Sequence, residues 1–468
     1  MRPNCQLFKK TGWIFLIYAI PLFFVAGPAA ADQVTKLNSE TVPTAVKGTM
    51  QALWTGDEFA PALTKKHKAI KKMLANGELT GATLRKMLKN SIPGILENQK
   101  VSRYVLQKIP DRVQDLFAPA VTWEDIKKII WETGASRIPD NQQLVIKIGT
   151  LAPQGTPWLS IPNRLLLPKV KKLSKGRVIL KIYGGGVMGE DTDILRKMDI
   201  GQLESCGCTA LGVLKASPDV SVFLVPGLFN NYDEIDYIFK KFRKRIDKSF
   251  EKRGYILAAL IDTGWFYVFS KNKITDLDDI RQQKMLTWFK TMETTLYEEL
   301  GINPTPVSVP EVVSALSTGM ADTCLSPSGW MLGMQAYQYV NYYIKEPWLY
   351  SPAAVIVSTK TIKNRLQKEI GLSENFAHNL QEMVVFECNL VEKKWRDHIR
   401  SYETKSLQAF EKKCGMRPVT LPPEDQKQLA AAAKEVRKRL AGKAFPEDLL
   451  NDVRKALEEY RAHQNIDD

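Results

Sequence analysis

From residue 144 onward, apolar positions switch between a period of two and a period of 3.6, which predicts alternating strands and helices and hence an α/β chain. Strand-like runs cover 144–150, 177–183, 203–209 and 255–261. Helical spacing covers 162–173, with a kink expected at Pro168, then 192–200, closed by Gly201, and 233–245. A second group follows: a strand at 284–288, a helix at 292–300 ending at Gly301, a helix at 311–318 ending at Gly319, and a strand at 321–325. Between the two helices, Asn303-Pro304-Thr305-Pro306 forces an extended connection, because a residue before proline is pushed out of the α region. A strand is expected again near 350–358. A continuous helical pattern then runs over 373–413, about 60 Å long at 1.5 Å per residue, with Phe376, Leu380, Met383, Leu390 and Ile399 near one face. Closing helices are expected within 423–462.

The first part of the chain reads differently. Residues 58–75, 80–89, 101–116 and 123–133 carry helical spacing only, with Pro110 expected to break the third helix and Thr122 placed to cap the fourth. Before them, Lys9 and Lys10, the apolar run 13–26 and Ala29-Ala30-Ala31 form the pattern of a secretory signal peptide cleaved after Ala31. The apolar run is too short and wrongly flanked for a membrane-spanning helix. An exported, soluble, periplasmic chain is therefore expected.

Composition narrows the picture further. With 468 residues and 44% hydrophobic content, the chain can hold two or three domains with a large core. Its net charge is +15, or +12 once Arg2, Lys9 and Lys10 are removed. The basic residues are spread over amphipathic helices without interleaved aromatics, which argues against nucleic acid as a partner. Removing Cys5 leaves five widely spaced cysteines, an odd number that does not suggest a disulfide framework. Cys206 and Cys208 share one strand face. They read as buried small residues, with a Cys208–Cys324 contact across a cleft left open. A metal or redox role would need partner ligands, and the four histidines, at 67, 378, 398 and 463, are not near this pair in sequence.

Gly184-Gly-Gly-Val-Met-Gly189 matches GxGxxG after a strand, but Glu190, Asp191 and Asp193 follow at once and would repel a pyrophosphate, so a structural turn is expected. No Ser-His-Asp spacing, HExxH or phosphate loop is present, and Glu204 and Asp322 read as strand-edge carboxylates. No enzyme activity and no cofactor are expected.

Several blocks carry a resemblance. They are Ile146-Lys147-Ile148, Gly155-x-Pro-Trp158, Gly176-Arg-Val-x-Leu-x-Ile-Tyr183 and Gly186-x-Met-Gly189, then Gly301-x-x-Pro-Thr-Pro306 and Glu311-Val-x-x-Ala-Leu-x-x-Gly-x-x-Asp322. In order and wording the chain resembles TRAP-type (tripartite ATP-independent periplasmic) solute-binding proteins of the DctP-like family, over roughly residues 144–440. The resemblance implies a two-lobe periplasmic binding protein fold of the α/β class, with a long lobe-spanning helix and, here, an added N-terminal helical domain. The expected boundaries are 1–31 signal peptide, 32–140 helical extension, 141–262 first lobe, 263–350 second lobe, and 351–468 return strand, spanning helix and closing helices.

The implied function is capture of a small molecule between the lobes and delivery to TRAP-type membrane permease subunits. A partner for the helical extension is not legible. Two other classes compete: a periplasmic carrier of a lipid or other hydrophobe without a permease, and an enzyme on the same scaffold. In members that bind organic acids, the resemblance places arginines at the positions of Leu286 and Tyr267 (Phe266 if the alignment slips by one) and an asparagine at Ser326. A buried carboxylate needs such a bidentate cation. The expected ligand contacts are therefore apolar and aromatic: Trp158, Thr209, Trp265, Tyr267, Leu286, Trp288, Ser326 and Trp330, with Phe289 nearby. An organic-acid reading would need a cation from elsewhere, with Arg164 and Arg281 as candidates.

Overall fold

The computed structural model describes residues 41–55, 61–100, 103–288 and 291–467. The expected signal segment and Phe289 lie outside the described residues. The chain forms two compact units, the first ending at Gly134 and the second beginning at Ala135.

The first unit is helical. Its helices are Val42–Thr55, Pro61–Ala75, Gly81–Asn98, Arg103–Phe117 and Trp123–Ala135. Val42–Thr55 is not apparent from the pattern, because Val46, Met50, Leu53 and Trp54 are separated by Lys47, Gly48, Thr49 and Gln51; in the fold all four are buried. The break expected at Pro110 does not occur, and the helix runs through it. An interior proline costs about 3 kcal/mol. Burying Leu106, Ile109, Val113 and Phe117 along one face returns about 1.5–3 kcal/mol each and outweighs it. The Gly81–Asn98 helix likewise continues past Pro93 on buried Ile92, Ile95 and Leu96. Thr122 caps the next helix as expected, its hydroxyl accepting from the Asp125 amide at 3.3 Å.

The second unit is built on one mixed sheet with the strand order β2-β1-β3-β9-β4-β7-β5-β6. These are β1 (Leu144–Thr150), β2 (Val178–Tyr183), β3 (Ser205–Cys208), β4 (Tyr255–Ser270), β5 (Met285–Thr287), β6 (Thr305–Pro306), β7 (Thr323–Pro327), β8 (Tyr342–Ile344), β9 (Leu349–Ser358) and β10 (Arg417–Val419). β10 pairs with β8, which pairs with β4. The first lobe is the β2-β1-β3 side and the second the β7-β5-β6 side. β4 and β9 run antiparallel through both. Residues 255–261 and the cluster Gly264-Trp265-Phe266-Tyr267 thus belong to one strand, where the sequence suggested a strand followed by a crossing. Register shifts between Leu257 and Ala259 and between Asp262 and Gly264 bend it where the lobes meet.

The spanning helix is Glu374–Lys412, 39 residues. Ser373 caps it by accepting from the Phe376 amide at 3.3 Å. Phe376, Leu380, Met383 and Ile399 are buried as expected, whereas Leu390 is 45% exposed and the neighbouring Val391 packs inward instead. The helical pattern at 162–173 is more irregular than a kink at Pro168. Pro157–Ile161 passes through a π-helical turn, Pro162–Leu166, into Leu167–Leu173. The wide turn ends where Pro168 supplies no amide hydrogen.

Residues 136–143 are not a free linker. Ile138 is fully buried, and the Arg137 guanidinium lies 5.5 Å from the Phe376 ring. A chain starting at Ala135 is therefore expected to fold as the intact protein does in this unit, with the same thermal unfolding transition, whereas one starting at Gln142 loses these contacts and should unfold at lower temperature. Matching stabilities for the two chains, measured by circular dichroism, would contradict that assignment of 135–141.

Candidate functional site

One face of the sheet, read at period two, floors a cavity between the lobes. Ile146, Ile148 and Thr150 of β1, Leu180 and Ile182 of β2, Ser205 and Gly207 of β3, and Ala353, Val355 and Val357 of β9 all point into it. The spanning helix adds Val384, Cys388 and Trp395, and the π-helical turn adds Pro162 and Leu166. From the second lobe come Phe266, Trp288, Val309 and Trp330. The cavity encloses about 90 Å³ of free volume and is partly open to solvent. Among the described residues, none that lines it is charged.

The hydroxyls on the wall already donate elsewhere. Thr150 donates to the Gly207 carbonyl at 2.7 Å, Ser205 to the Ile356 carbonyl at 2.7 Å, Thr209 to the Asp191 carboxylate at 2.6 Å, and Thr263 to the Pro352 carbonyl at 3.1 Å. Their remaining lone pairs can accept, but they offer an anion nothing.

The aromatic wall is held in place by specific contacts. Trp288 meets Trp330 edge-on with ring centroids 4.9 Å apart, and Phe266 at 5.9 Å. Behind them the fully buried Glu293 accepts from the Trp288 amide at 2.7 Å, the Thr287 hydroxyl at 2.6 Å and the Tyr297 hydroxyl at 2.9 Å. Trp158 donates its indole N–H to the Asp262 carbonyl at 2.8 Å and packs edge-on against Tyr402.

The structure brings Trp158, Thr209, Trp288 and Trp330 together on this wall. It does not bring Trp265, Tyr267, Leu286 or Ser326 there. Register explains three of these four. Tyr267 pairs with Ser326, and Leu286 with Cys324, so all share the face opposite Phe266. Leu286 and Ser326 are fully buried, and the Tyr267 hydroxyl donates to Glu403 at 3.4 Å. Trp265 packs instead against Tyr232 and Tyr350. The β1, β2 and β9 floor residues were missed, although the alternation in Val145-Ile146-Lys147-Ile148 carried the signal.

Among the described residues, Arg400 and Arg281 are engaged away from the cavity. Arg400 is clamped between Asp262, at 2.8 Å, and Asp236, at 2.7 Å. These two carboxylates hold its guanidinium far above its ordinary pKa against the opposing effect of burial. Arg281 bonds to the Leu300 carbonyl and Gln428. Arg164 is exposed on the π-helical turn. Glu204 and Asp322 act on backbone: Glu204 accepts from the Lys147 amide and pairs with Arg365, and Asp322 accepts from the Lys284 amide.

Glu403, on the spanning helix, is 7% exposed. It accepts from the Trp265 amide and the Tyr232 hydroxyl, each at 2.9 Å. Burial nevertheless pushes its carboxyl up to about 7.

At the first-lobe rim, the cysteine expectation needs correction. Cys206 and Cys208 form a disulfide with each other, and Cys324 is a free, buried thiol. Residues two apart on a strand share a face, and their Cα atoms lie 5.3 Å apart, so no partner from across the cleft is needed. The glycine run 184–189 is a turn, with Gly185, Gly186 and Gly189 at positive φ, and leads into a capping box between Glu190 and Asp193.

The family model of bacterial extracellular solute-binding protein family 7 (DctP) matches residues 148–444. Among curated proteins, the chain is 24% identical over 156 residues to the ectoine-binding periplasmic protein TeaA of Halomonas elongata, covering 32% of this chain and 46% of that protein. It is 22% identical over 223 residues to the C4-dicarboxylate-binding periplasmic protein DctP of Rhodobacter capsulatus, covering 45% of this chain and 66% of that one. The chain thus spans less than two thirds of both. Two solved structures share the fold. One is a TRAP periplasmic solute binding protein of Haemophilus influenzae with bound L-gulonate, at TM-score 0.58 and 18% identity, covering 67% of this chain and 100% of that one. The other is the sugar acid binding protein of Advenella mimigardefordensis in complex with galactonate, at TM-score 0.61 and 18% identity, covering 68% and 99%.

Proposed function

Because the chain belongs to bacterial extracellular solute-binding protein family 7, we propose that it captures a small apolar or aromatic solute between its lobes, in the periplasm, and delivers it to a TRAP-type membrane permease. The solute class rests on the wall: Trp158, Trp288, Trp330 and Phe266 face an aliphatic floor, and among the described residues no charged side chain joins them. A carboxylate moved there would lose its hydration without gaining a cation from the described residues, which costs several kcal/mol. An apolar solute instead gains about 25 cal/mol for each Å² it buries. Since the solute touches both lobes only when they close, those contacts favour the closed form.

An organic acid is the second reading. It is favoured by the ligands of the solved relatives, which include L-gulonate, D-glucuronate and succinate. It requires a cation at the wall; Arg164 is exposed, two residues from the wall residues Pro162 and Leu166, and would have to swing around the π-helical turn to reach it.

The two readings separate in a thermal-shift panel on the purified protein, guided by native mass spectrometry of whatever co-purifies. The expected result is no shift with L-gulonate, D-glucuronate, galactonate or succinate. A neutral aromatic or apolar ligand should give a shift equivalent to about 2.7 kcal/mol at hundredfold excess over Kd, and Trp288→Ala should weaken it. A micromolar Kd for one of these acids, lost in Arg164→Ala, would replace the first reading by the second.

A further inference from the structure

The disulfide behind the cavity floor has a third member. Asp191 is fully buried beside it, and one of its carboxylate oxygens lies with Cys206 Sγ and Cys208 Sγ within 4.8 Å of one another. Its two oxygens differ. Oδ2 accepts three hydrogen bonds, from the Thr209 amide at 2.9 Å, the Thr209 hydroxyl at 2.6 Å and the Gly212 amide at 3.1 Å. Oδ1, equally buried, has no hydrogen-bond partner. An acceptor left bare in the interior is unfavourable by about 1–3 kcal/mol, so its persistence beside two sulfurs calls for a ligand. Gly212 packs directly on the cluster, where a Cβ would stand 2.9 Å from the Cβ atoms of both Asp191 and Cys208.

We propose that reduction of the Cys206–Cys208 disulfide converts this cluster into a binding site for one thiophilic divalent cation of the zinc class, held by Cys206 Sγ, Cys208 Sγ and Asp191 Oδ1. The disulfide takes up two electrons and two protons from a dithiol or phosphine reductant and becomes two thiols. The cation then binds both as thiolates and releases the two protons. Metal–sulfur bonds of about 2.3 Å in tetrahedral geometry set the sulfurs about 3.8 Å apart. The 5.3 Å separation of the two Cα atoms allows this by side-chain rotation alone. Two thiolates and one carboxylate leave the fourth position open, as in zinc sites that take up an exchangeable ligand. Cys206 and Cys208 lie on the face of β3 opposite Ser205 and Gly207, so the cluster sits behind the cavity floor. The oxidised form, with both sulfurs consumed, is closed to metal.

The test uses the whole protein, reduced with a phosphine under argon, desalted and titrated with Cd²⁺ and then Zn²⁺. The readouts are the ultraviolet thiolate-to-cadmium charge-transfer band and metal stoichiometry by mass spectrometry. One equivalent is expected for the reduced protein and none for the oxidised protein, which still carries Cys324, Cys388 and Cys414 and needs no substitution to serve as control. Cys206→Ser should lose the band, and Asp191→Asn should weaken affinity tenfold or more. The inference is overturned if the reduced protein keeps its circular dichroism yet binds no metal, if Cys206→Ser binds as tightly as the wild type, or if reduction unfolds the chain.

Discussion

Gly264→Ala is expected to destabilise the second unit by about 3–5 kcal/mol, a large loss for a change of one methyl group. Two effects combine. Gly264 has φ +117°, a conformation open almost only to glycine, and forcing another residue into it costs about 1–3 kcal/mol. The added Cβ would also stand 2.3 Å from the Glu403 carboxylate. That side chain cannot simply swing away. The Trp265 amide and the Tyr232 hydroxyl hold it from one side and the Tyr267 hydroxyl from another, and displacing it would leave buried donors unpaired at about 1–3 kcal/mol. A double-mutant cycle separates the two effects. In a Glu403→Ala background the clash is gone, so Gly264→Ala should lose less there than in the wild type, leaving mainly the backbone component. Equal losses in both backgrounds, by denaturant unfolding, would refute the steric part.

This junction shows why some of the molecule was legible in the sequence and some was not. Periodicity is local, and what depends on it could be read: the β1, β2 and β3 strands, the spanning helix with its Ser373 cap, and the helices closed by Gly201, Gly301 and Gly319. The family blocks added the order of lobes. Continuity of β4 was not legible, because Gly264 after Asp262 and Thr263 reads as an interruption; it is a bulge that lets Glu403 approach, and Glu403 comes from a helix 139 positions later in the chain. The wall of the cavity was half legible. Tryptophans after strand ends pointed to it, but choosing between Phe266 and Tyr267 required the register of β4 on β7, and a shift of one residue exchanges the two faces. Pro110 shows the reverse failure. A sound local rule was overridden by the burial of Leu106, Ile109, Val113 and Phe117.

Glu403→Gln is expected to leave stability little changed at pH 5 and to raise it at pH 8, by up to about 3 kcal/mol. The sign follows from the direction of the shift. Burial raises the folded-state pKa of Glu403 from 4.5 to about 7, so between these values the folded chain holds a proton that the unfolded chain has released. Stability from this group is therefore fully present below pH 4.5 and is lost as pH rises through about 7. The shift of about 2.5 pKa units at 1.36 kcal/mol each gives the size. The groups facing the carboxylate allow this shift. The Trp265 amide and the Tyr232 and Tyr267 hydroxyls stabilise the anion, yet burial and the nearby Asp262 carboxylate oppose it more strongly. Arg400, one turn away on the same helix, cannot compensate because it is committed to Asp262 and Asp236. Glutamine keeps an acceptor for the Trp265 amide but never ionises, so the variant should lack this part of the pH slope. Asp191, which burial pushes up to about 6, adds a slope of the same sign to both proteins and cancels in the comparison. The measurement is denaturant unfolding of wild type and variant at half-unit steps from pH 5 to pH 8. A stability difference that stays constant across that range would show that Glu403 carries no proton in the fold that it lacks when unfolded.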